Sequence, residues 1–512
     1  MTQHPAWKLA MLGSLFAAMN VCAQESMDDL FEEAAPESMP PSVEPPAPDA
    51  SSMDDLFEDA EPAAAQESVP QPGEPPAADA ASLDDLFESE ATPAATVAKA
   101  PAGPPPSKVK ISGFVQNELG FAYTDDGHFS KFKTLAKVRL NGRLSDRVSF
   151  QLGGHLQYDP VFEFETFYPD AVEDDQKFDG YVDETFIDID ANDWDIRIGR
   201  QHIVWGEMVG LFFADVISAI DLREFVLPDF DLIRIPQWAI RAEYFKDDFH
   251  GELVYIPFMT IDDLGEFGAE YFPFPITLPA GVQSVFLEDK TPSDPGDEFG
   301  AGARGSWLKN GWDFSLFYYT SPDKTAAFER TIDFGVLPTT VFFKPVHDRI
   351  HQVGTTIAKD FGSFVFKAEA IETTDRRISV TDIPDFDGLE DSNELRYVLG
   401  IDWAGETGHN ANLQFFQTWL QDHEPSMIYK ELETGVSIFL TTTRWHRDIK
   451  PEVLWIRSLD RNEWLLETKL TWSFAVDWRA VLGTDIFEGP STGVLGQFDS
   501  TDRVYWEFRY SF

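Results

Sequence analysis

From residue 108 onward the chain alternates apolar and polar side chains with a period of two, in segments that often run ten residues or more. Val148, Phe150, Leu152, Gly154, Leu156 and Tyr158 point one way, and Ser149, Gln151, Gly153, His155 and Gln157 point the other. Leu395, Tyr397, Leu399, Ile401 and Trp403 likewise oppose Glu394, Arg396, Val398, Gly400 and Asp402. Successive side chains take opposite faces only on an extended strand, so the pattern demands sheet and excludes a helical fold. One apolar and one charged face also suits a soluble sandwich. Three features favour a membrane barrel instead. The segments are long enough to cross a bilayer at a tilt. Of the chain's 14 Trp, 13 Tyr and 44 Phe nearly all follow residue 107, and they gather near segment ends, where a membrane interface holds aromatic rings. The connections also alternate in length. Ser145-Asp146-Arg147, Ala191-Asn192-Asp193, Asp247-Asp248, Lys309-Asn310 and Phe361-Gly362 are short, whereas 159–178, 203–236, 259–297, 321–348 and 374–392 are long.

The expected fold is therefore all-β: a transmembrane antiparallel up-and-down β-barrel over 108–512, of about 18 strands with 16 as the alternative count. An even count returns both barrel ends to the side of the tight turns, the periplasmic side. The chain closes on Val504, Trp506, Phe508, Tyr510 and Phe512, which share one face. This ending resembles the C-terminal signal of barrels inserted by the outer-membrane assembly machinery, which it implies as a partner beside outer-membrane lipid.

The first 23 residues read as an export signal, with Lys8 before the apolar run Leu9 to Met19 and a small residue, Ala23, at the cleavage point. Residues 24–107 hold 16 of the chain's 34 prolines and read as a disordered acidic tail, too polar to bury a core. Within it Asp28-Asp29-Leu30-Phe31-Glu32 returns as Asp54-Asp55-Leu56-Phe57-Glu58 and as Asp84-Asp85-Leu86-Phe87-Glu88. The paired Asp suit the first turn of a short helix presenting Leu30 and Phe31, Leu56 and Phe57, or Leu86 and Phe87. Three docking motifs for one periplasmic protein, joined by extended spacers, are the expectation.

A formal charge of −50 excludes nucleic-acid binding, which rests on Lys and Arg. One Cys excludes a disulfide framework and a Cys-based metal module. There is no Gly-x-Ser-x-Gly elbow and no His-Glu-x-x-His site; His347 and His351 lie four apart without the Glu a zincin base requires. No enzyme, cofactor or metal site is expected.

Function is left to the lumen and the long connections. After Arg200, the segment Trp205-Gly206-Glu207 leads into Met208 to Leu227, too apolar for a solvated loop, around Asp215, Asp221, Arg223 and Glu224. This connection is expected to contain a helix and to fold into the barrel, narrowing it; packing outside on its neighbours is the alternative. On the second segment Lys133, Lys137, Arg139 and Arg143 share the face opposite Val138 and Leu140, and these cations either attract anionic solutes or neutralise Glu184, Asp188 and Asp190. Gly199-Arg200-Gln201, Trp205-Gly206-Glu207, Asp215-Val216 and Asp221 resemble the pattern of an uncharacterised porin-like family of Gram-negative outer membranes, a domain of unknown function. Where that family carries Asn-Pro before the second Asp, this chain has Ala219-Ile220. The resemblance implies a barrel of transport type and no catalytic residues. The expected function is a porin-like channel or export conduit for small or amphiphilic solutes in the cell outer membrane, its tail in the periplasm. The alternative is a non-conducting anchor that displays the repeated tail.

Overall fold

The computed structural model describes residues 109–512 except 125–126, 209–214, 274–280, 293–295, 297, 336–337, 382–384, 386 and 406–407. The export-signal segment and the tail, with Leu30, Phe31, Leu56, Phe57, Leu86 and Phe87, lie outside the described residues.

One antiparallel sheet of nineteen segments dominates the described residues. Two of these, Phe178–Val182 and Thr185–Ala191, pair with different halves of the strand Val148–Tyr158 and form one interrupted strand, so the sheet has eighteen places. It closes on itself. The first strand, Lys110–Ala122, pairs with its successor His128–Ser145 on one side and with the last strand, Arg503–Ser511, on the other. Gly113 and Phe512 seal the seam by exchanging backbone N–H···O bonds of 2.9 Å. Closure leaves no sheet edge, which is what hydrocarbon demands of a strand-built span. All eighteen segments expected from the sequence fall on these strands.

Turns between strands are tight at one end. Asp146-Arg147, Asn192-Asp193, Asp247-Asp248, Asn310-Gly311 and Val476-Asp477 each join neighbours. Asn192 at φ 68° and Asn310 at φ 55° take the left-handed backbone that such turns need and that Asn tolerates. The other end carries the long connections. They are partly structured: Val282–Phe286, Thr339–Val346 and Ala327–Asp333 form a three-stranded sheet of their own.

The alternation sorts the two faces. Leu253, Leu316 and Leu413 stand outward at 53%, 52% and 52% exposure, in rows with Val353, Leu399, Ile401 and Leu440. A contiguous apolar belt of this kind is unsustainable in water and is what acyl chains cover. Aromatic rings bound it. Trp194, Trp312, Trp403, Trp472 and Trp478 ring the tight-turn end; Tyr158, Trp238, Tyr255, Tyr318 and Trp419 ring the long-connection end. The barrel therefore spans a membrane. Inward stand Gln116, Glu118, Lys137, Glu252, Lys367, Glu394, Asp402, Gln414, Glu467 and Arg509, all buried.

Candidate pore constriction

The connection 202–236 leaves the strand Trp194–Gln201 and returns to Gln237–Lys246, which pairs with it directly. A chain rejoining an adjacent strand has no need of thirty-five residues, and the surplus crosses the bore. At its start Trp205 is fully buried between Phe317 and Tyr319, ring centroids at 5.2 and 6.1 Å, in a core with Ile203, Val216, Ile217 and Ile371. Glu207 accepts from Thr356 at 3.0 Å, its carbonyl accepts from Lys367 Nζ at 3.2 Å, and the Met208 N–H donates to Glu369 at 3.0 Å. Farther along, Leu227 packs with Tyr271, Leu465 and Phe487, so the same connection reaches a wall built by strands late in the chain.

Two carboxylates pin its tip. Glu224 meets Lys131 and Lys133 of the second strand, with Arg503 at 3.9 Å. Asp229 meets Lys469 at 2.9 Å, Arg479 at 3.3 Å and Arg509 at 3.8 Å, from three strands of the wall. Burial pushes both carboxyls up, but the surrounding cations outweigh it and hold both below the usual carboxylate range. Removing one partner of such a buried cluster costs about 3–5 kcal/mol, because the charge left behind is uncompensated. Between the pins Phe225 has φ 54°, a conformation that a bulky side chain adopts only where its surroundings impose it.

The tip is also tied to the connection 259–299. Leu222 N–H donates to the Asp263 carbonyl at 2.7 Å, and Asp263 N–H to that of Ile220 at 2.9 Å. Arg223 sits among Asp221 at 2.7 Å, Asp179 at 2.9 Å and Asp263 at 3.3 Å. Asp221 and Arg223 border two open recesses. The first includes Lys131, Lys133, Glu224, Asp229 and Arg503 in its walls; the second includes Asp175, Arg200, Asp263, Phe267 and Phe286.

The sequence candidates thus take different places. Asp221, Arg223, Glu224 and Lys133 come together at the loop tip, all bordering the first recess. Arg200 borders the second recess, donates to the Pro236 carbonyl at 3.1 Å and stands over the Tyr181 ring. Trp205 and Asp215 line neither recess: Trp205 is core, and Asp215 is paired with Arg234 at 2.6 Å. Lys137 is buried against Asp183 at 3.0 Å, and Asp188 takes Arg197 at 2.7 Å, so the cations of the second strand find Asp183 and Glu224 as partners. Arg139 is half-buried on the same face and borders neither recess. The helix expected in this connection is present among its described residues as one turn, Phe230–Ile233, beside the short strands Ala219–Ile220 and Arg234–Ile235. Sequence reasoning missed Lys131, Asp229, Lys469, Arg479, Arg503 and Arg509. The signal was there: Arg503, Tyr505, Glu507 and Arg509 alternate with the apolar C-terminal face. Glu243, His250 and Glu252 could together hold a cation, but Arg241 already binds both carboxylates at 2.8 Å.

Around the second recess burial pushes the Asp175 carboxyl up to about 6, with Arg223 opposing and Asp263, Glu266 and Asp221 adding to it. A raised carboxyl penalises the packed loops while ionised, and the penalty is relieved as pH falls through its folded value. The long connections are thus expected to resist protease better at about pH 5 than at about pH 7.5, and Asp175→Asn to shrink that difference. Identical digestion profiles for the two proteins would reject the assignment.

A closed membrane barrel whose bore is crossed by an ion-paired connection defines the class: a porin-like barrel. The chain belongs to the DUF1302 family of proteins of unknown function, whose model matches residues 176–512. A comparison with curated proteins finds no match. Among solved structures the chain is similar to OccK8 (OprE) of Pseudomonas aeruginosa, at 10% identity over 79% of this chain and 98% of that one, TM-score 0.47. It is similar to OccAB1 of Acinetobacter baumannii at 8% identity, 79% and 95% coverage, TM-score 0.48. It is also similar to Salmonella typhi OmpF, solved in complex with daunomycin, at 10% identity, 79% and 98% coverage, TM-score 0.41.

Proposed function

We propose that this protein is an outer-membrane channel or export conduit for small or amphiphilic solutes, gated in size by the connection 202–236. One observation carries the reading: Glu224 and Asp229, borne on a connection that starts at one wall, are ion-paired to strands elsewhere around the ring. A loop so placed narrows an eighteen-strand lumen, wide enough for water, and its Arg223 borders two recesses. Apolar and charged surfaces both face these recesses, which supports passage of solutes carrying both. The experiment is planar-bilayer recording of the full chain. Discrete conductance steps are expected; a silent, correctly folded barrel would favour the alternative of a non-conducting anchor, which a crossing loop that fills the bore would produce.

The N-terminal region completes the proposal. After export directed by residues 1–23, the tail lies in the periplasm and its three repeats dock one partner protein, while the C-terminal strand engages the barrel-assembly machinery. A synthetic peptide spanning the three motifs is expected to retain a periplasmic partner. Loss of retention when Leu30, Phe31, Leu56, Phe57, Leu86 and Phe87 become Ala would support docking, and equal retention would reject it.

A further inference from the structure

The pins at the loop tip have a shape of their own. The run Glu224-Phe225-Val226-Leu227-Pro228-Asp229 carries a carboxylate at each end and apolar side chains between. The barrel wall receives it in kind. Among the described residues the ion pairs of Lys469 and Arg479 go to Asp229 alone. Four residues from Lys469 on the same strand, Leu465 is fully buried under the loop's apolar middle, with Phe487 beside it on the next strand. Four strand residues span about 13 Å, so a cationic head site and an apolar bed lie one medium alkyl chain apart on the wall itself.

We infer that this wall is a binding site for anionic amphiphiles with a carboxylate head and an alkyl body, which the loop tip occupies as an internal surrogate and which such solutes reach by displacing it. The inference rests on the channel reading and names its solute class. Nearby acids do not cancel the site. Glu118 lies at 2.8 Å from Lys131 and Asp485 at 2.6 Å from Arg503, both beside the Glu224 pin. At the Asp229 pin, Glu467 and Glu507 face the same space, but three cations still converge there. A ligand that competes with a tethered group binds with an affinity reduced by the fraction of time the site is vacant. Removing the Asp229 charge therefore exposes the site without altering its walls.

The test uses the full chain in planar bilayers, with octanoate as probe and octylammonium and octanol as tail-matched controls. Octanoate is expected to block current in the wild-type barrel, and to block Asp229→Asn at about tenfold lower concentration. The double variant Asp229→Asn/Lys469→Met is expected to lose that gain. Equal block by all three probes, or equal octanoate sensitivity of wild type and Asp229→Asn, would overturn the site while leaving a conducting wild type as a channel. If the wild type does not conduct, the channel reading falls by itself. Calorimetric titration of octanoate into the same proteins in lipid nanodiscs then decides the site, with the same ranking expected and its absence overturning it. Heat-modifiable gel mobility confirms that each variant has formed its barrel.

Discussion

Deleting residues 209–226 is expected to raise single-channel conductance severalfold and to move the reversal potential toward anion preference. The first effect follows from geometry. The deleted stretch includes Asp221 and Arg223, which border both recesses, and Glu224, which borders the first. The strands 194–201 and 237–246 it lies between are already paired, so the wall loses nothing. The second effect follows from charge. Without Glu224, Lys133 loses the ion-pair partner it has among the described residues and Lys131 keeps Glu118, and both stay on the lumen wall. Cations lining a narrow aqueous path favour anions. Unchanged conductance would show that the connection does not restrict the bore. A larger conductance without a selectivity change would show that the wall charges are balanced by residues other than Glu224.

Leu413→Arg is expected to destabilise the barrel by about 2–4 kcal/mol when refolding is followed in lipid vesicles, because the side chain faces outward near the middle of its strand. Leu413 pairs across to Ile401 and Ile438 and is 52% exposed. In a water-facing sheet the same change at a half-exposed site would lie within about 0.5 kcal/mol of neutral. The two environments thus predict results that differ by more than the measurement error, and urea unfolding of the wild type and the variant decides between them. A near-neutral effect in vesicles would mean that the apolar belt does not meet hydrocarbon.

Much of this molecule is written locally. Each of the eighteen strands could be placed because side-chain alternation is a property of neighbouring residues, and the tight turns because Asn and Gly mark left-handed backbone. The infolding of the connection after Gln201 was legible from its apolar content. Its charge pairing was not: Glu224 meets Lys131 and Lys133, and Asp229 meets Lys469, on strands remote from it in the chain. Trp205 and Asp215, conspicuous in the sequence, turned out to be anchors, while Asp229 was passed over.

The sequence by itself determined a sheet with one oily and one wet face, its approximate strand number, and its handling of turns, since all of these depend on residues within a few positions of one another. Only the tertiary structure decided which charges meet. Glu224 finds Lys131 across 93 residues, and Asp229 finds Lys469 across 240 and Arg479 across 250. Such separations carry no periodic signal. The partners become neighbours only when the last strand closes on the first and the ring brings opposite walls within reach of one loop.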